Sequence, residues 1–110
     1  MGQPLLDKIK ELTPKPVTTI INTHTHFDHV SGNVEFPPTV DVVAHEDTKA
    51  GMEKMSPVTA LNQSPTPNIF TANKGRGMAK RTFKDRMTIG SGSDQVDLYY
   101  FGRGHTSGDA

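Results

Sequence analysis

Apolar side chains fall in short, separate stretches whose spacing shifts from helical to alternating along the chain. Leu5, Leu6, Ile9 and Leu12 recur at helical spacing, with Asp7, Lys8, Lys10 and Glu11 on the other face, which predicts a helix over 4–12. Pro4 suits its first turn, and Pro14 and Pro16 stop it. Residues 17–22, Val-Thr-Thr-Ile-Ile-Asn, form a β-branched run that predicts a largely buried strand. A histidine-rich loop is expected from Thr23 to about Asn33. After Pro37 and Pro38, residues 40–44 predict a second short strand. Residues 46–55 predict a helix, with Asp47 near its start and Lys54 near its end in keeping with the helix dipole.

Residues 56–80 show no period and contain Pro57, Pro65, Pro67, Gly75 and Gly77. The expectation is a long surface loop, with a substrate-covering flap as its functional version. Residues 81–89 predict a strand, 90–94 a turn, and 95–101 another strand. In the last, Val96, Leu98 and Tyr100 alternate with Asp97 and Tyr99, the pattern of a half-buried strand. A glycine-rich loop follows over 102–109. Helices and strands mix along one chain, so the fold class is α/β (α+β).

At 110 residues the chain is the size of one small domain with one modest core. Lys plus Arg is 12 and Asp plus Glu is 12. A formal charge of zero argues against a nucleic-acid footprint or an acidic-membrane partner. No apolar run has the length of a membrane span, and Met1-Gly2-Gln3-Pro4 does not open a signal peptide. The expected partner is a small-molecule substrate. The absence of cysteine excludes disulfides and thiolate ligands. Any metal is then held by His, Asp or Glu, a donor set that suits zinc, iron or manganese.

The chemistry concentrates in His24-Thr25-His26-Phe27-Asp28-His29, directly after the first strand. His24 and His26 are two apart, so in extended chain both rings point to one side and can converge on one ion. If the chain then turns, Asp28 and His29 face a second site beside the first. Downstream, His105 lies on the loop Gly102-Arg103-Gly104-His105-Thr106-Ser107-Gly108-Asp109, whose glycines permit sharp turns. Catalytic zinc keeps three protein ligands and one open position, and His24, His26 and His105 supply that number. Asp109 reads as a loop or supporting residue, and His45 as a partly buried helix-start residue. Thr23 and Thr106 either hydrogen-bond the ligands or cap the loop backbone. Arg103 reads as exposed.

The string His24-Thr25-His26-Phe27-Asp28-His29, with Gly104-His105-Thr106-Ser107-Gly108-Asp109 far downstream, resembles the paired signatures of the metallo-β-lactamase superfamily. Asn22-Thr23-His24, Val30-Ser31-Gly32-Asn33 and Val42-Val43-Ala44-His45-Glu46 resemble the family's surroundings for these signatures. The resemblance runs from about residue 5 to 110. It implies part of an αβ/βα sandwich with metals at one edge of the sheets. It implies that His24, His26 and His105 bind a first Zn2+, that Asp28 and His29 belong to a second, and that Asp28 also serves catalysis. In most family members a bridging Asp and a further His lie downstream, and opening strands precede the first helix. The resemblance therefore implies that 1–110 is a single partial domain lacking those first strands and the C-terminal half. The implied activity is hydrolysis, in which metal-activated water attacks a carbonyl (β-lactam, thioester, lactone) or a phosphoester. Two alternatives stand beside it: a non-heme iron redox enzyme on the same fold, and an inactive metal-binding fragment.

Overall fold

The β-branched run ahead of the histidines forms β1 (Thr19–Asn22), an edge strand, in a computed structural model that describes residues 2–55 and 68–110. Before it comes α1 (Gly2–Leu12), starting two residues earlier than the spacing predicts. After it come one turn of helix, α2 (Phe27–Val30), and a 3-10 turn over Ser31–Glu35. Then follow β2 (Asp41–His45), α3 (Glu46–Lys54), α4 (Ile69–Ala72), β3 (Arg81–Phe83), β4 (Arg86–Ile89) and β5 (Val96–Tyr99).

The sheet order is β1-β2-β3, all parallel, with Ile21 opposite Val43 and Ala44 opposite Thr82. Parallel neighbours need crossovers, and α2 with the 3-10 turn, then α3 and α4, occur in them. Alternate residues of β2 point to opposite faces and nucleate two cores. Val42 and Ala44 meet Val30, Met52, Phe70 and Ala79 on the helical side. Val43 meets Phe83 and Leu98 on the other, where β4 and β5 form an antiparallel hairpin. The layers are therefore helices, parallel sheet and hairpin, an α/β arrangement as expected. No helix is long and apolar enough to cross a membrane among the described residues.

Four expectations are corrected. β1 is half-buried rather than largely buried until Asn22, because it has a neighbour on one side only. The expected strand over 81–89 is two strands in two sheets. The His45 Nε2 contact with the Lys84 carbonyl (2.8 Å) and the Tyr100 N–H bond to the Asp85 carbonyl (2.9 Å) hold the bend between them. The histidine-rich loop contains the helical turn α2. Of the expected loop over 56–80, residues 56–67 lie outside the described residues. Residues 68–80 are a short helix and an exposed turn pinned to the core at two points: Phe70 and Ala79 are fully buried, while 71–76 and 80 are exposed. Asn68 caps α4 by accepting from the Phe70 and Thr71 N–H groups, and donates to the Met52 carbonyl at the end of α3.

Candidate metal centre

Two asparagines fix the place where the chain leaves β1. Asn22 and Asn33 are both buried, and the Asn33 amide donates to Asn22 Oδ1 (2.7 Å) and to the Gly77 carbonyl (3.1 Å). Past this anchor the chain bends at His24 and reaches His26, which sits at the N-cap of α2 in extended conformation with φ −65° and ψ 141°. The helical turn then places Asp28 and His29 beside the earlier histidines. Thr25, between His24 and His26, lies so close to α3 that a Cβ on Gly51 would stand 2.2 Å from its methyl group. The glycine is what lets α3 approach this loop.

The second loop is tied down at four points. The Thr48 hydroxyl, fully buried in the first turn of α3, donates to the Gly108 carbonyl at 2.8 Å. The Tyr100 hydroxyl donates to the Ser107 carbonyl (2.9 Å), and the Ala110 N–H to the Thr23 carbonyl (3.0 Å). Asp109 accepts from the Thr106 hydroxyl (2.5 Å) and from its N–H (2.9 Å). That Thr106 hydroxyl is the main reason the Asp109 carboxyl lies below its ordinary pKa. Asp109 thus closes the loop, as its sequence position implies, and the Thr106 hydroxyl serves the Asp109 carboxylate rather than a histidine or the backbone. Arg103 is exposed, as expected.

These two loops bring three imidazoles together. One ring nitrogen from each of His24, His26 and His105 lies within 4.8 Å of the others. His26 Nδ1 and His105 Nε2 stand 3.0 Å apart. Zinc–nitrogen bonds of 2.0–2.1 Å in tetrahedral geometry put donors about 3.4 Å apart, so small ring movements complete the set. His24 is the inward member. Its Nδ1 meets the Thr23 hydroxyl at 3.0 Å, while its Nε2 is buried without a hydrogen-bond partner. An unpartnered buried nitrogen costs free energy unless something occupies its lone pair. Burial first, then the neighbouring His29, His26 and His105, lower the His24 pKa, and Asp109 partly opposes them. The arrangement therefore favours neutral imidazole, the form that binds a cation.

Asp28 and His29 lie beside the triad and pair with each other. Asp28 Oδ2 is 3.5 Å from His29 Nε2, both side chains are largely exposed, and the His29 ring packs 4.1 Å from that of His24. A cavity of about 480 Å³ between α1 and β1 reaches both of them and is walled mainly by apolar residues such as Leu5, Ile9 and Phe36.

Residue-by-residue reading of the sequence finds the histidines but misses their supports. Thr48, Gly51, Asn33 and Tyr100 act through contacts far along the chain and carry no local signature. His45 is at the helix start as expected. It is fully buried, caps α3 by accepting from the Asp47 N–H, and stacks on Tyr100 with ring centres 3.9 Å apart.

A parallel sheet with crossover helices on one face, and three imidazoles converging where the strands end, is an α/β scaffold with a donor set that could hold a metal ion. The chain belongs to the metallo-β-lactamase superfamily, whose family model matches residues 2–110. No curated protein matches the chain.

Proposed function

We propose that His24, His26 and His105 hold a zinc ion and that the protein hydrolyses a small-molecule carbonyl or phosphoester substrate. The observation that carries this is the His24 ring, whose Nε2 is buried and unpartnered, gathered with two further imidazoles. A zinc ion held there supplies Lewis acidity and activates water near neutral pH. Thr23 orients the His24 ring, which keeps the Nε2 lone pair inward. With zinc held there, the Asp28 carboxylate would take up the proton of the attacking water. His29, 3.5 Å away, steadies that carboxylate, and the pair would contribute ligands to a second metal. No serine or cysteine nucleophile is required.

The test is elemental analysis of protein purified without added metal, followed by melting with and without zinc. Zinc at 100 times its dissociation constant stabilises by about 2.7 kcal/mol. For a domain of this size that raises Tm by roughly 10–20 °C. Chelation should abolish hydrolysis of a thioester, lactone and phosphodiester panel, and zinc should restore it. Stoichiometric iron with no hydrolysis would replace the proposal with redox chemistry, and no metal with no zinc-dependent melting would leave a fold without the function.

Thr48 gives a second prediction. Thr48→Val keeps the shape but leaves the Gly108 carbonyl unpaired in a buried place, a loss of about 1–3 kcal/mol. Loosening the loop three residues from His105 should also weaken zinc binding roughly 10–100-fold, the usual effect of removing a supporting residue. Thr48→Ser should restore both. Unchanged zinc affinity in a destabilised Thr48→Val protein would make the residue structural only.

A further inference from the structure

A second cavity, of about 160 Å³, lies between the chain leaving the 3-10 turn and the segment after α4. Phe36, Val40, Val42 and Met78 give it an apolar floor. Lys74, Arg76 and Lys80 are on its walls, and no carboxylate is among its lining residues. Six of the chain's 12 basic residues (Lys74, Arg76, Lys80, Arg81, Lys84, Arg86) fall within 74–86, against one acid, Asp85. Arg81 pairs with Asp41 at 3.1 Å. Lys74, Arg76 and Lys80 have no ion-pair partner among the described residues. The Arg76 Nε donates to the Phe36 carbonyl (2.9 Å), which fixes one edge of the guanidinium and leaves the terminal nitrogens for another acceptor.

The backbone supplies an independent observation. Lys74 is the one non-glycine residue with positive φ (+59°) among the described residues. It ends α4 in a left-handed cap, in which the Gly75 N–H reaches back to the Phe70 carbonyl (2.7 Å) and the Lys74 N–H to that of Thr71 (3.1 Å). Glycine is the residue that position favours, because any Cβ there is strained. A lysine held in a strained conformation on the wall of a cationic cavity is the pattern expected when its side chain is used.

We infer that this cavity binds a small oxyanion carried on an apolar body, of the aryl phosphate type. A cavity of about 150 Å³ accepts a benzene-sized group, so a single ring on the apolar floor fits. The charged oxygens then meet the Lys74, Arg76 and Lys80 side chains through charge-assisted hydrogen bonds. This inference does not rest on the metal centre.

The experiment is an amide NMR titration and thermal melt with phenyl phosphate, on chelator-treated protein so that metal does not compete for the phosphate. Phenyl phosphate should shift the amides of residues 74–80 and raise Tm. Inorganic phosphate should bind more weakly, and phenol should produce neither effect. Lys74→Gly should hold or raise the Tm of the free protein, because it relieves the strained cap. It should also lose about tenfold or more in phenyl phosphate affinity, as expected for one charged partner. A merely structural lysine would not separate the two readouts. No binding of phenyl phosphate at millimolar concentration, unchanged affinity in Lys74→Gly, or preferential binding of a single-stranded oligonucleotide would each overturn the inference.

Discussion

His24→Ala should strip the protein of zinc while leaving its metal-free fold nearly intact. The ring contributes the inward nitrogen of the triad, and its removal leaves two exposed imidazoles that cannot close a three-ligand set. The expected loss is more than about 100-fold in zinc affinity, beyond what removing a supporting residue costs. The fold should survive because the His24 ring packs against other histidines, His26, His29 and His105, rather than inside either core. For a partly buried side chain outside both cores the expected change in stability is about 1 kcal/mol. The same variant tests the electrostatics. In the metal-free protein the His24 pKa lies below its ordinary 6.5, chiefly through burial. The unfolded chain then binds more protons, so the group's stabilising contribution is complete above pH 6.5 and is lost as pH falls through the lowered folded value. His24→Ala should remove that part of the acid sensitivity. Zinc titration, elemental analysis and melts from pH 7.5 down to 5 measure all of this, and an unchanged zinc stoichiometry would sink the proposed centre.

The histidine cluster was legible because closely spaced imidazoles leave a local mark in the sequence. His24 and His26 are spaced for convergence, and the strand ahead of them is marked by β-branched residues. The cores were legible where one element packs with one period. β2 and α3 fall close to where their patterns place them, and Leu98 is the inward residue of β5. What the pattern could not show is which sheet a strand joins. Arg81–Phe83 pairs with β2 and Arg86–Ile89 with β5, and the bend between them depends on His45 and Tyr100, neither of them close in sequence. Nor could it show that β1 lies at an edge, since an apolar strand looks alike at an edge and in the middle. The supports of the metal loops were hidden for the same reason. Gly51 matters because of Thr25, and Thr48 because of Gly108, pairs set by the crossover rather than by any short spacing. α2 is four residues long, too short to establish a helical period.

The residues after 67 carry no period, yet Phe70 among them is fully buried, and Phe70→Ala is the variant that measures what it holds. A surface loop would lose about 0.5 kcal/mol or less on such a change. Phe70 instead heads the fully buried side chains and packs in the core with Val30, Met52 and Ala79. Deleting a buried phenyl ring costs about 3–5 kcal/mol through lost transfer energy and the cavity left behind. Against a total of about 5–15 kcal/mol, that is a large share of the stability of the domain. Tm should fall by more than about 12 °C, whereas Thr71→Ala on the exposed side of the same helix should move it little. The effect should extend to the metal centre. α4 is joined to the end of α3 by the Asn68 amide on the Met52 and Glu53 carbonyls, and α3 carries both Thr48 and Gly51. A loosened α4 leaves α3 less firmly seated against the loops of His24, His26 and His105. Zinc affinity at a temperature where Phe70→Ala remains folded should therefore fall too, by less than in Thr48→Val because the loosening acts through a whole helix. If zinc affinity is unchanged, α4 supports the core alone, and the geometry of the centre is set by the Asn22–Asn33 pair and the Thr48 hydrogen bond without it.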